Sequence, residues 1–259
     1  MPQDFGPLSP SPRLLLGPGP SQISPRVLRA CATPLLGYLD PEYVRMMDDV
    51  QMLLREVMET DNEWTMCVPG TGMAGMEAAV VNLVEPGDEI LVCVAGVFGE
   101  RMVNVAERAG AVVSRVDAEW GTAVQPEQVR EALKTCHPKA IGIVHAETST
   151  GVLQPLSEIG KIAHDAGALF IVDCVTSLGG VSVGVDAVGA DVAYSGTQKC
   201  LGAPPSLSPI SFSSAAVSAL QGRKSAVQSF YLDAAQIWRY WGPDRAYHQT
   251  GMVNMTYAL

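Results

Sequence analysis

Between residues 89 and 195 the chain alternates mainly apolar runs with stretches whose apolar residues recur at helical spacing. No other feature restricts its fold as much. The runs 89–95, 111–116, 140–145, 168–173 and 192–195 read as strands, and 99–109, 126–134 and 156–166 as the helices between them. A strand that is apolar at consecutive positions is buried on both faces. Strands joined through helices are parallel and covered above and below. The expectation is an α/β domain with a mainly parallel sheet.

Ahead of this region, residues 1–12 are rich in proline and serine and read as a loose arm. Leu14-Leu15-Leu16 then runs into the rigid turn Gly17-Pro18-Gly19-Pro20. A helix is expected over 41–58, with Asp40 as N-cap and Pro41 at the first position. Its apolar stripe would use Val44, Met47, Val50, Leu53, Leu54 and Val57. The final residues, 252–259, read as a helix that has only begun, without a glycine, proline or basic last turn, as expected of a truncated product.

Composition narrows the partners. The net charge is −10, which argues against nucleic acid or an anionic membrane as the main partner. No apolar run reaches the roughly 18 residues of a membrane span. The six cysteines form no CxxC pair and most lie in apolar runs, so buried reduced thiols and a reducing, cytoplasmic compartment are expected. No metal-ligand spacing occurs.

Gly70-Thr71-Gly72-Met73-Ala74-Gly75 matches the G-x-G-x-x-G dinucleotide fingerprint after a possible strand, 64–68. Its second half fails. The ribose-binding acid belongs at the end of the next strand, whereas Asp88 and Glu89 stand at its start. What survives is a glycine-rich helix start, which either holds a phosphate or is simply a tight turn.

Two later residues weigh on that choice. Asp173 ends the run Leu169-Phe170-Ile171-Val172, where acids face the ligand crevice of open α/β sheets, although a helix cap would also explain it. Lys199 is the single charge in the stretch 194–209, a setting suited to an amine nucleophile rather than a solvated surface lysine. A phosphate cradle, a strand-end aspartate and a downstream lysine together have the chemistry that pyridoxal 5′-phosphate (PLP) requires.

With those residues in place, the chain resembles the class V, fold-type I PLP enzymes. Within them it resembles the alanine–glyoxylate and serine–glyoxylate (serine–pyruvate) aminotransferases. The resemblance runs through Leu16-Gly17-Pro18-Gly19-Pro20-Ser21, His145-Ala146-Glu147-Thr148-Ser149-Thr150-Gly151, Val172-Asp173-Cys174, Ser195-Gly196-Thr197-Gln198-Lys199 and Tyr247-His248-Gln249-Thr250. It implies a three-layer α/β/α sandwich: an N-terminal arm over 1–22, a PLP-binding large domain over 23–259, and no C-terminal small domain in this chain. Lys199 matches the lysine that holds the cofactor as a Schiff base, and Asp173 the partner of its pyridine nitrogen. Thr71, Gly72 and Met73 match the phosphate turn, and Gln198 also serves the phosphate. Phe98 stands where an aromatic ring stacks on the cofactor, usually tryptophan. Thr148 matches a hydroxyl near the cofactor and substrate. Tyr247 and Thr250 match residues that reach the other subunit's phosphate, which implies a homodimer with shared sites.

The implied activity moves an amino group from a small amino acid, alanine or serine, to glyoxylate. Ureidoglycine as donor, cysteine desulfuration, and a truncated non-catalytic PLP-binding fragment are the alternatives. The last follows from an arginine for the substrate carboxylate, which the family carries in its small domain and which no arginine here matches.

Overall fold

The computed structural model describes residues 6–259; the part of the expected arm that falls on residues 1–5 lies outside the described residues. In chain order the elements are α1 (Pro25–Cys31), α2 (Pro41–Met58), β1 (Trp64–Pro69), α3 (Gly72–Leu83), β2 (Glu89–Val94), α4 (Val97–Arg108), β3 (Val112–Asp117), α5 (Pro126–Ala132), β4 (Ala140–Val144), β5 (Ala146–Glu147), β6 (Val152–Leu153), α6 (Ser157–Asp165), β7 (Leu169–Asp173), β8 (Val192–Tyr194), β9 (Leu207–Phe212), α7 (Ser214–Gln221), α8 (Ala234–Trp241) and α9 (Val253–Ala258). Every strand and helix expected between 89 and 195 is present, within two residues at nearly every end.

Seven strands form one sheet in the order β1-β9-β8-β7-β4-β2-β3. The stretch from β8 to β3 is parallel throughout, and β9 pairs antiparallel with both its neighbours, so only β9 runs against the rest. β2 displays the burial that its composition requires. Ile90, Val92 and Val94 join one core with α3 and α4, while Leu91 and Cys93 join a second core with α5 and α6. Two cores, one on each face, make the three-layer α/β/α sandwich.

The topology settles the glycine-rich motif. A dinucleotide fingerprint needs its two strands side by side in one βαβ unit, and here β9, β8, β7 and β4 separate β1 from β2. The third glycine has a packing role instead. A Cβ on Gly75 would lie 2.1 Å from Ser208 Oγ and 3.1 Å from Tyr194, so only glycine lets α3 settle on β8 and β9.

Three expectations need correction. The helix α2 is capped by Asp40, which accepts from the Glu42 N–H, but its inner face is Tyr43, Met47, Val50, Gln51, Leu54 and Met58. Leu53 and Val57 are exposed, because the helix is turned by one position relative to the expected stripe. β9 carries Pro209 in a fully buried strand that reads as turn-rich sequence, and it was not expected. Of the six cysteines, Cys67, Cys93, Cys136 and Cys174 are buried, Cys31 is partly so and Cys200 is exposed; all six are free thiols. Among the described residues no helix is long and apolar enough to cross a membrane, and no cluster could hold a metal ion.

Candidate active site

Parallel strands end along one edge of the sheet, so residues far apart in sequence collect there. Thr71 follows β1, Phe98 follows β2, Thr148 follows the short β5 just beyond β4, Asp173 closes β7 and Lys199 follows β8. A cavity of about 220 Å³ is lined by Thr71, Gly72, Met73, Phe98, Asp173, Gln198 and Lys199, together with Arg101 and Val175. A second cavity, of about 390 Å³, is lined by Thr148, Thr176, Cys200 and the Gly17–Ser21 turn. Lys199 is the residue common to both.

The lysine is held by the N-terminal arm. Its Nζ donates to the Pro18 carbonyl at 2.8 Å, across 181 residues of sequence. Gly19 sits at φ +128°, and a Cβ there would come within 2.7 Å of Lys199 Nζ and Cδ. The apolar-to-turn segment at the N-terminal end therefore straps the lysine, and the Ser21 N–H fixes the strap by donating to the Gln198 carbonyl at 2.7 Å. The residues alone read as a rigid turn, and the family resemblance implies that the arm carrying it packs near the active site; the contact with Lys199 itself is not legible.

Asp173 is 3% exposed. Its Oδ1 accepts from the Val175 N–H at 2.9 Å and its Oδ2 from the Tyr194 hydroxyl at 3.0 Å. Burial pushes its pKa up to about 6, against the two hydrogen bonds that favour the carboxylate. Nearby Glu147 is also buried, but it caps α4, accepting from the Phe98 and Gly99 N–H groups and from Ser149. That cap sets where Phe98 stands. The Arg101 guanidinium lies 4.8 Å from the centre of the Phe98 ring, a cation–π contact that braces it. The His145 ring turns away to Ser177 Oγ at 3.0 Å, and burial lowers its pKa.

The glycine-rich turn expected to hold a phosphate has the features of an anion cradle. Thr71 is the N-cap of α3, and its side chain makes no cap hydrogen bond. The first N–H groups of a helix have no partner within it. Gln198 Oε1 and Ser21 Oγ are buried without a hydrogen-bond partner among the described residues. Gly196 closes the cradle, since a Cβ there would lie 2.9 Å from Gln198 Oε1 and 3.1 Å from the Gly72 nitrogen.

Tyr247 and Thr250 are the candidates not brought to the site. They are exposed, line neither of these cavities, and approach each other at 3.3 Å between their hydroxyls. Sequence reading missed Tyr194, Glu147, Arg101 and the Pro18 carbonyl. Only Tyr194 left a trace there, since it ends β8 as Asp173 ends β7, and the two pair in register.

The family model for class-V aminotransferases matches residues 14–228. The (S)-ureidoglycine–glyoxylate transaminase of Bacillus subtilis is 37% identical over 95% of this chain and 64% of its own length. The alanine–glyoxylate aminotransferase of Drosophila melanogaster is 40% identical over 98% of this chain and 65% of its own. The chain thus spans just under two thirds of these curated relatives. Among solved structures, alanine–glyoxylate aminotransferase from Nostoc sp. superposes with a TM-score of 0.97 at 47% identity, covering 99% of this chain and 68% of that one. Fold and sequence agree over the whole of the lysine-bearing edge, and the chain belongs to the class-V aminotransferase family.

Proposed function

We propose that residues 23–259 form a PLP-binding domain of an aminotransferase that passes an amino group from a small amino acid, alanine or serine, to glyoxylate. One observation carries this: Lys199, Asp173 and the glycine-rich start of α3 line a single cavity, although 128 positions separate Thr71 from Lys199. The donor set fits the cofactor. The α3 N-terminus, the Thr71 hydroxyl and the NH2 end of the Gln198 amide can donate to a phosphate. Phe98 offers a ring face, Asp173 an acceptor for a pyridine N–H, and Lys199 the amine that bonds the aldehyde carbon. Bound there, PLP supplies an electron sink for charge developing on the substrate.

The chain's own residues do the rest. Lys199 Nζ, at the junction of the two cavities, is the group able to move a proton to and from the substrate carbon. Thr148 and Thr176 offer hydroxyls in the second cavity, whose size suits a small amino or 2-oxo acid and which the Pro18–Gly19 strap borders. No arginine lines it among the described residues.

Borohydride reduction of the PLP-saturated protein, followed by peptide mass analysis, tests the reading. A pyridoxyl adduct on Lys199 is expected, and Lys199→Ala should lose it entirely. An adduct on another lysine, or on none, rejects the assignment. Ureidoglycine as donor is the second reading, favoured by the 37% identity to a relative of that name. Single-turnover reactions with alanine, serine, ureidoglycine and cysteine, followed at the cofactor absorption band, separate these donors.

The same reading includes a homodimer. Leu14, Leu16, Leu35, Phe230 and Tyr231 are exposed and available to such a pairing. Tyr247 and Thr250, idle in the single chain, would serve a neighbouring copy's phosphate.

A further inference from the structure

We infer that Tyr194 is a positioning residue for the cofactor acid: its hydroxyl orients the Asp173 carboxylate and keeps it ionised. The inference rests on the proposed role of Asp173 opposite a pyridine nitrogen.

The geometry is specific. Asp173 and Tyr194 are register partners at the ends of neighbouring parallel strands, so their side chains leave the same face of the sheet. Tyr194 has no exposed surface, and its hydroxyl donates to Asp173 Oδ2 at 3.0 Å. Its backbone is pinned by the Cys174 N–H, which donates to the Tyr194 carbonyl at 2.9 Å, and its ring is packed under Gly75 of α3. A tyrosine needed only for bulk would not require its hydroxyl buried against a carboxylate.

The carboxylate needs such help. An acid that keeps a pyridine nitrogen protonated has to be charged when the cofactor arrives, and burial works against that charge. The groups facing it come from several elements. The Val175 N–H and the Tyr194 hydroxyl favour the charged form, as does Lys199 from the turn after β8, while Glu147 from β5 opposes it. The Cys174 thiol is itself buried and held protonated, and the His145 ring at the end of β4 is engaged with Ser177. Tyr194 is the only side chain that donates a hydrogen bond to Asp173 among the described residues.

The test uses the full cofactor-free chain with carbon-13 in the aspartate carboxyls, Asp173 being assigned from Asp173→Asn. Tyr194→Phe should move the Asp173 midpoint upward by about one pH unit. A midpoint unchanged within about 0.3 unit overturns the inference, because a hydrogen bond to the charged form has to shift it. If Tyr194→Phe does not fold, the wild-type chain decides. The tyrosine Cζ resonance of Tyr194 must then move with the same midpoint as Asp173, and a flat trace overturns the inference.

PLP affinity gives a second readout. The Kd ratio of Tyr194→Phe to wild type should approach one by about pH 9 and rise as pH falls through about 7 and 6, towards roughly tenfold below about pH 5; a ratio independent of pH indicates a structural defect and rejects the role. Failure of the cofactor reading looks different: no PLP bound by the wild type, with the carboxyl midpoint still moving in the variant.

Discussion

At the scale of single residues, the burial of Asp173 costs stability at neutral pH. Its pKa is raised from 3.8 to about 6 in the folded chain. The folded state therefore holds a proton that the unfolded state has already released, and the stability contributed is complete below about pH 4. It is lost as pH rises through 6, a difference of about 3 kcal/mol for this fully buried group. The cofactor-free chain should thus gain from Asp173→Asn at pH 7.5. Urea denaturation at pH 5 and pH 7.5 checks this: the variant's advantage should appear at the higher pH and shrink at the lower one. A variant less stable than wild type at both would contradict the sign. The same substitution should leave PLP bound but slow the half-reaction strongly, since asparagine cannot hold a pyridine nitrogen protonated.

At the scale of elements, α2 shows how a small rotation decides which residues matter. Leu53 and Leu54 are neighbours in sequence, and both fit an apolar stripe. Leu54 is 3% exposed in the core beneath β1, whereas Leu53 is 50% exposed. Leu54→Ala should cost about 2–4 kcal/mol through lost burial and a cavity, and Leu53→Ala less than about 1 kcal/mol. Chemical denaturation midpoints of the two variants measure the contrast directly, and equal losses would place the helix face wrongly. The helix α3 teaches the same lesson from its glycines. They match a nucleotide fingerprint in one dimension, yet Gly75 is there because β8 and β9 pass too close for a methyl group.

At the scale of the whole molecule, the sheet has two covered faces and one functional edge. The Tyr247–Thr250 pair and the exposed apolar side chains are given a use by the proposed second copy. Sedimentation equilibrium at micromolar concentration should return twice the 27.4 kDa chain mass. Tyr247→Ala should weaken PLP retention while changing single-chain stability by no more than about 0.5 kcal/mol, because the ring is 55% exposed. A monomer that retains PLP equally well with and without Tyr247 would remove the shared-site reading.

Much of this architecture is legible in the chain itself. Periodicity alone delivers the parallel strands β2, β3, β4, β7 and β8 and the helices between them, although not the short β5–β6 pair. β2, β4, β7 and β8 are buried along nearly their whole length, which leaves no polar alternation to misread. Lys199 stands out as a solitary charge and Asp173 as a strand-end acid, and the resemblance to a known family adds the phosphate turn. The sequence is silent where the determining contact is long-range. β9 hides behind Pro209 because its antiparallel place between β1 and β8 satisfies a strand whose residues signal turns. The strap of Pro18 on Lys199 spans 181 residues, and Tyr194 meets Asp173 only through strand register. Local sequence fixes which element forms, since neighbours set backbone and burial pattern. Which side chains then share a cavity is decided by the order in which strands assemble, and that order is written in packing between distant parts of the chain.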